Sequence, residues 1–561
     1  MAGEARHTPE TVRQSSATAD LRRLPVLIVD CQTTGSRPAT SSVLEIGWQV
    51  ARGEEPTPRP PECRLVSSPA ARRLPKAIQR LTGLEPTEVA AAASAGTAWA
   101  SLLKAAAQAA VAPSGRPLTV VHYARFERGF LHRLHNDASP DAAFPLEMIC
   151  THELVKRLLP ELPRKGLRAV AGYLGHSVPV LKRCNAHITA TAVIWRYCVD
   201  RLAVDFSIDT PAALLDFLKK PVRAAVRPRR YPLLEGAIPP LPAAPGIYEF
   251  RRSNGDLLYV GKAACLKTRV GSYLQPSRRH PEHILEMLTQ AAGVAVRATG
   301  SALEAALLES DRIKALAPPY NVALQTGHRR LWYCDRLCRR LADVPDPGLP
   351  WGPIPDRRLI TAVATIRQAH DDPPEAPPAI VMAMAAAHAP STDSFASGWR
   401  LFRQRWAQEL ATAPASLSRL GRAVWRKRRD RSREPLADRQ SESRKPFEWT
   451  SETVANALEG VICRWGHLKR RARWFALLQD VVVVWRHRSD GQRFNALQAC
   501  GGPLRDGYRD KRPMTVADYD RLRVLTTELR RLVAEERLMH VYLNNRTALT
   551  ADTIRRLLSW L

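Results

Sequence analysis

Short apolar runs separated by polar breaks dominate the first two hundred positions. Leu24 to Val29 is one such run and ends in Asp30-Cys31-Gln32-Thr33-Thr34-Gly35; Val43 to Trp48 is a second. Pro56 to Pro61 interrupts as a loop, an alanine-rich helix is expected near Ala98–Ala110, and Leu118–Val121 reads as a further strand. Ile149-Cys150-Thr151 opens a helix that Leu154–Leu159 continues. Strands alternating with helices predict an α/β layer over residues 24–205. Residues 1–23 are polar and charged and read as a disordered leader.

The clearest local pattern lies at residues 245–325. Gly246-Ile247-Tyr248 and Leu258-Tyr259-Val260-Gly261-Lys262 flank a polar break containing Asn254-Gly255, the strongest short-range signal for a β-hairpin. Leu266, Val270 and Leu274 then recur at helical spacing. Ser301 and Glu304 are spaced as a capping box ahead of Leu307, Leu308 and Ile313, and Pro318-Pro319-Tyr320-Asn321 ends that helix. Glu309 is an acid within its apolar run.

Between these regions, residues 206–244 read as a linker, basic at Arg223, Arg227, Arg229 and Arg230 and then rich in proline. Residues 326–446 read as Pro-rich and basic, partly disordered, with a basic arm at Arg426, Lys427, Arg428, Arg429, Arg431 and Arg433 that contacts phosphate without reading sequence. Residues 447–561 read as an α+β accessory domain: helices at Thr453–Trp465, Arg470–Leu478, Val516–Glu535 and Ala551–Leu561, and a hairpin of Val481–Trp485 with Phe494–Leu497. The last third as a whole is expected to be mostly helical.

At 561 residues the chain is too long for one core. Its formal charge of +30, from 84 basic and 54 acidic residues, favours a polyanionic partner, and nucleic acid is the simplest. An arginine- and alanine-rich composition produces the same sign by itself, so charge supports that partner without establishing it. The ten cysteines are scattered apart from Cys334 and Cys338, which lack the second pair a tetrahedral metal site needs and read as free thiols. With no secretory h-region and no apolar run of membrane length, the expected setting is the cytoplasm, near the nucleoid, without a membrane partner.

The segment around Tyr248 resembles the GIY-YIG nucleases, most closely the N-terminal nuclease module of the incising component of the bacterial excinuclease. Five elements carry the resemblance in the family's order: Gly246-Ile247-Tyr248, then Tyr259-Val260-Gly261, then Lys262, Arg269 ten residues past the second tyrosine, and Glu309 with Asn321 twelve residues on. The resemblance implies phosphodiester hydrolysis. That chemistry needs a nucleophilic water, a base, stabilisation of the pentavalent phosphate and help for the leaving oxygen. Tyr248 and Tyr259 would hold the water, and one of them would take its proton if Lys262 lowered its pKa. Arg269 would fork onto phosphate oxygens, Asn321 would stabilise the site, and Glu309 would ligate one Mg2+ or Mn2+.

The first half resembles the DEDD-type 3′–5′ exonucleases, the proofreading-subunit-like branch of the ribonuclease H-like fold. That family holds two ions with four carboxylates. Asp30 matches the first acid, Gln32 stands where the second belongs, and Glu127 replaces an aspartate. Cys184 and Thr189 occupy the base and last-acid positions; taking His187 as a displaced base instead puts Ala192 in place of the acid. The resemblance therefore implies the fold with a degenerate, non-catalytic site. The expectation from sequence is a structure-specific DNA nickase of the excinuclease type acting in repair, with other repair proteins as partners. An active 3′–5′ exonuclease and a non-catalytic DNA-binding scaffold are the competing readings.

Overall fold

The computed structural model describes residues 19–561 except 56–58, 69–73, 178–180, 222–230, 235–237, 276–279, 322–328, 369–389, 412–417, 432–447, 479–480, 487–493, 499–513, 536–537, 544–546, 551, 553 and 556–561. The chain divides into two compact units. One holds residues up to Arg297 with the short return Pro318–Val322, and the other holds Ala298–Ala317 and the residues from Ala323 on.

The first unit begins with strands β1 (Val26–Thr33), β2 (Val43–Ala51) and β3 (Glu62–Leu65) and helices α1 (Lys76–Thr82), α2 (Pro86–Ala90) and α3 (Ala95–Ala106). It continues with β4 (Leu118–Val121), α4 (Ala124–Ala138), β5 (Glu147–Cys150), α5 (Thr151–Leu158), α6 (Leu167–Tyr173), α7 (Cys184–Phe206) and α8 (Pro211–Lys219). The strands form one sheet in the order β3-β2-β1-β4-β5, antiparallel from β3 to β1 and parallel from β1 to β5. The apolar run of β1 is covered by helices on both sides. Val26 and Ile28 pack with Leu154, Ile188 and Ile194 on one face. Leu27 and Val29 pack with Trp99, Leu102 and Leu131 on the other.

Three expectations are corrected here. Ile149 and Cys150 lie in β5, so the helix begins only at Thr151. The end of the leader is ordered: Leu21 is buried and donates its N–H to the Asp209 carbonyl at 2.7 Å. Part of the linker is helical as well. Thr210 caps α8, Pro211 stands at its first position, and Leu214 is buried in the sheet's core. The basic linker residues Arg223, Arg227, Arg229 and Arg230 lie outside the described residues.

The same unit then forms β6 (Gly246–Arg251), β7 (Leu257–Ala263), α9 (Leu266–Leu274), α10 (Glu282–Gln290) and β8 (Gly293–Ala298), with sheet order β7-β6-β8. The hairpin expected at Asn254-Gly255 is present, with Gly255 at φ 88° in the left-handed region that glycine accepts. Tyr248, Phe250, Leu258, Val270 and Leu288 form its core, together with Tyr231 and Leu233 from the end of the expected linker.

The second unit starts at α11 (Ala302–Leu316), where Ser301 accepts the Glu304 N–H at 3.1 Å as the spacing of these two residues requires. There follow β9 (Trp332–Cys334), β10 (Leu341–Ala342), β11 (Trp351–Ile354), α12 (Arg357–Gln368), α13 (Thr392–Arg405), α14 (Ala407–Ala411), α15 (Ser418–Arg431) and α16 (Ser451–Leu478). The chain closes with β12 (Val481–Arg486), β13 (Phe494–Gln498), α17 (Val516–Ala534), β14 (Leu538–Leu543) and β15 (Thr547–Leu549).

The region 326–446 is not a loose spacer over its described part. Phe395, Trp399 and Phe402 on α13 pack against Val454, Leu458 and Ile462 of α16, so one core crosses the boundary expected at residue 447. Among the described residues of the last third helices outweigh strands, and the region also holds the sheets β10-β9-β11 and β13-β12-β14-β15. The hairpin of β12 and β13 is antiparallel as expected, and the two helices expected before it are the single helix α16. Most of the terminal helix expected at Ala551–Leu561 lies outside the described residues. Among the described residues no helix is long and apolar enough to cross a membrane.

Candidate active site

Tyr248 on β6 and Tyr259 on β7 point to one face of the hairpin. Registration pairs Tyr248 with Gly261 and Phe250 with Tyr259, and the period of two puts all four on the same side. The two phenol rings lie 6.1 Å apart, centre to centre. Gly261 is required by this arrangement: a Cβ there would stand 2.4 Å from both Cζ and the hydroxyl of Tyr248. The glycine of the second motif is therefore the floor under the tyrosine of the first.

Helix α9 supplies the rest. Arg269 donates from Nε to the Tyr248 hydroxyl at 3.3 Å and from Nη2 to the Tyr273 hydroxyl at 3.2 Å. The two hydroxyls are themselves 2.9 Å apart. With one guanidinium donating to both oxygens, one phenol proton bridges the pair and the other remains to be offered outward. Sequence reasoning missed Tyr273. It stands one helical turn beyond Arg269, and that i,i+4 spacing was the available signal.

Burial pushes the Tyr248 phenol well above its ordinary value, and the neighbouring Tyr273 and Tyr259 add to the shift. The expectation that Lys262 would lower a tyrosine's pKa is thus corrected for Tyr248. The cation bonded to it is Arg269, and strand alternation places Lys262 opposite Ile247, on the other face from Tyr259 and Gly261. Tyr248 stays a neutral phenol while Tyr259, half-buried, is the more open of the two.

Asn321 braces the strand. β7 is an edge strand, and the Asn321 side chain takes the place of a neighbour: Oδ1 accepts the Val260 N–H at 2.9 Å while Nδ2 donates to the Val260 carbonyl at 2.8 Å. Its amide is committed to the backbone, so it holds β7 rather than touching a reacting atom. Glu309 lies half-buried on α11, within the second unit.

Residues 244–322 match the UvrC-like GIY-YIG domain. UvrABC system protein C of Nitrosomonas europaea is 49% identical over 82 residues, which are 15% of this chain and 13% of that protein. The chain thus spans only a small part of the curated relatives it matches. A solved GIY-YIG N-terminal endonuclease domain of UvrC from Thermotoga maritima, bound to its catalytic divalent cation magnesium, is 34% identical over 15% of this chain and 88% of its own, with a TM-score of 0.14. An exonuclease I structure matches with 14% identity over 41% of this chain and 49% of its own, with a TM-score of 0.28.

The second candidate group sits on β1, α4 and α7. Asp30 has both carboxylate oxygens occupied: Oδ1 lies 3.0 Å from His187 Nδ1, and Oδ2 accepts from Gln32 Nε2 at 2.8 Å. Burial counts against charge on His187, but the Asp30 carboxylate prevails and holds the imidazole above its usual value. Glu127 is raised too, which in a carboxyl favours the neutral form: burial, then the charge of Asp30, pushes it far above the usual range. Cys184 is buried and directs Sγ at the Asp30 carbonyl, 3.3 Å away. Thr189 does not join the group, since its hydroxyl donates to the Asn185 carbonyl on the exposed side of α7. Among the described residues, no three His, Cys, Asp or Glu side chains gather as a metal-holding group.

The basic arm is corrected in part. Arg426, Lys427, Arg428, Arg429 and Arg431 continue helix α15, with Lys427 Nζ 5.1 Å from the centre of the Trp406 ring. Arg433 lies outside the described residues. Cys334 and Cys338 are free and buried.

Proposed function

We propose that this chain is a metal-dependent, structure-specific DNA endonuclease that nicks one strand, of the kind that works in nucleotide excision repair. The observation that carries the reading is the match of residues 244–322 to a UvrC-like GIY-YIG domain, with Tyr248, Tyr273 and Arg269 joined in one hydrogen-bonded cluster beside Tyr259. A carboxylate oxygen suits a hard cation that keeps most of its waters. Glu309 is the residue that would hold Mg2+ or Mn2+; the ion, when bound, supplies Lewis acidity and an activated water.

The protein's own groups divide the remaining work. Tyr259, the more exposed phenol, would take the proton of the attacking water as phenolate, its own proton having first passed to solvent. Tyr248 remains protonated and orients that water, with its oxygen held by Arg269. The outward face of the Arg269 guanidinium takes phosphate oxygens, and Lys262 adds positive charge at the end of β7. Asn321 fixes the strand that carries Tyr259 and Gly261.

For residues 24–205 the proposal is a ribonuclease H-like layer of the exonuclease type that does no hydrolysis. The two bonds already made by Asp30, the neutral Glu127 and the outward Thr189 support this, because two close cations need several free negative charges. Target recognition then falls to this layer, to the basic helix α15 and to partner repair proteins, in the cytoplasm at the nucleoid.

Incubating the full chain with supercoiled plasmid and with bubble, flap and bulky-adduct duplexes in Mg2+ tests the proposal. Single-strand nicks on at least one distorted substrate are expected. Binding without cleavage in both Mg2+ and Mn2+ would reduce the protein to a DNA-binding scaffold, and Asp30-dependent shortening of a 3′-labelled strand would make it an exonuclease.

A further inference from the structure

The α/β layer and the GIY-YIG-like module lie in the same unit, and the contact between them reaches the edge of the strand that carries Tyr259. Two residues before the end of the match, Tyr320 gives its backbone N–H to the Leu258 carbonyl at 3.1 Å, and its neighbour Asn321 closes on Val260. Leu258 and Val260 bracket Tyr259. Whatever fixes Tyr320 therefore fixes the backbone on both sides of the phenol proposed as base.

Tyr320 is fixed through its ring and its hydroxyl. The hydroxyl donates to Glu286 Oε1 at 2.6 Å and accepts from Gln290 Nε2 at 2.5 Å, both on α10. Gln290, almost wholly buried, also accepts Arg252 Nε and Nη2 through Oε1 at 3.1 and 2.9 Å. The outer face of the ring is covered from the α/β layer: the Arg168 guanidinium of α6 lies 4.9 Å above it and 3.7 Å from Glu286. Arg164 pairs with Glu282 at the rim, and Asn254 Nδ2 donates to the Gly175 carbonyl at 3.1 Å. The fit is close, since a Cβ on Gly172 of α6 would stand 2.0 Å from Gln290 Oε1.

We propose that Arg168 is a positioning residue for DNA cleavage. By packing on Tyr320 and neutralising Glu286, it clamps the 320–321 segment onto the edge of β7 and so sets the orientation of Tyr259. The layer whose own carboxylates are tied up would then act on the reaction as a mechanical support. A cation held over a tyrosine face beside a carboxylate combines two attractions that water screens poorly when the site is packed. Misplacing a reacting group by a fraction of a bond length is costly in rate.

The inference rests on the nuclease reading, so the test carries a readout that does not. In the full chain, Arg168→Ala is expected to lower kcat for plasmid nicking about tenfold with KM within about twofold. Hydrogen exchange should quicken at peptides covering Leu257–Ala263 and remain unchanged over β1 and β4. Arg168→Lys, which keeps the cation but not the flat stack, should recover part of both effects. Unchanged nicking with unchanged exchange at β7 would overturn the proposal, as would faster exchange spread evenly over the whole chain. If the wild type cuts no DNA while Arg168→Ala still loosens β7 alone, the mechanical link stands and the nuclease reading falls.

Discussion

Tyr248 and Gly261 face each other across the β6–β7 pair so closely that only hydrogen fits on the glycine. The contact explains why tyrosine in the first motif and glycine in the second occur together. In Gly261→Ala the new methyl must displace a buried ring or push β7 from its partner. Overpacking of this kind costs about 1–3 kcal/mol, and the tyrosine hydroxyls move with the ring. Nicking is expected to fall by about a hundredfold, with a smaller loss in denaturant melts. Wild-type nicking by this variant would show that the Tyr248 ring has no fixed place.

Tyr273 should prove part of the same unit as Arg269. Tyr273→Phe removes one acceptor of the guanidinium and the neighbour of the Tyr248 hydroxyl, and a lost hydrogen bond to a charged group is worth about 1.5–3 kcal/mol. Nicking should drop roughly tenfold or more. The double variant with Arg269→Ala should lose less than the product of the two single losses, because the partners are shared. Full additivity would separate Tyr273 from the site.

The state of Tyr248 has a consequence at high pH. Its folded pKa is raised above the unfolded phenol's value of about 10, so below pH 10 both states carry the proton and stability does not vary on its account. Above that, the unfolded chain loses the proton first, and stability falls as pH rises. Tyr248→Phe should flatten that alkaline decline in denaturant melts between about pH 10 and 11. An equal slope in the variant would mean that the phenol ionises freely in the folded protein.

Within the second unit, Asp520 on α17 is fully enclosed and accepts both Arg329 Nη atoms at 3.0 Å, with Lys314 of α11 at 3.8 Å. Asp520 and Lys314 are buried while Arg329 is 35% exposed, so removing the carboxylate costs somewhat less than about 3–5 kcal/mol, the figure for a fully buried pair. Asp520→Ala should lower the unfolding midpoint of this unit strongly, followed by the fluorescence of its buried tryptophans. A shift under about 1 kcal/mol would show that the cluster is better solvated than its packing indicates.

Much of the first unit was legible because its signals are local. Asn254-Gly255 specified the turn and the alternation around Tyr248 and Tyr259 specified one shared face, as Ser301 did the cap of α11 at the start of the second unit. Gln32 and Glu127 could be compared position by position with the exonuclease pattern that the sequence resembles. What was hidden depends on contacts distant in sequence. His187 meets Asp30 only because α7 crosses the sheet, and Thr189, two residues on, turns outward on the same helix. Tyr273 has the pattern of an ordinary core aromatic, and only its bond to Arg269 sets it apart. The start signal of α8, Thr210-Pro211, is sound but is outweighed by the proline-rich stretch that follows it. In the second unit, Phe395, Trp399 and Phe402 have helical spacing, but their partners on α16 lie more than fifty positions away.

The central claim is that hydrolysis belongs to the module around Tyr248 and needs a carboxylate-held ion. The most direct measurement is Mg2+-dependent nicking of supercoiled plasmid by the full chain, by Glu309→Gln and by Asp30→Asn, each shown to be folded. Loss of nicking by at least a hundredfold in Glu309→Gln, with Asp30→Asn cutting like the wild type, is the predicted result. Nicking that survives Glu309→Gln and vanishes with Asp30→Asn would contradict it.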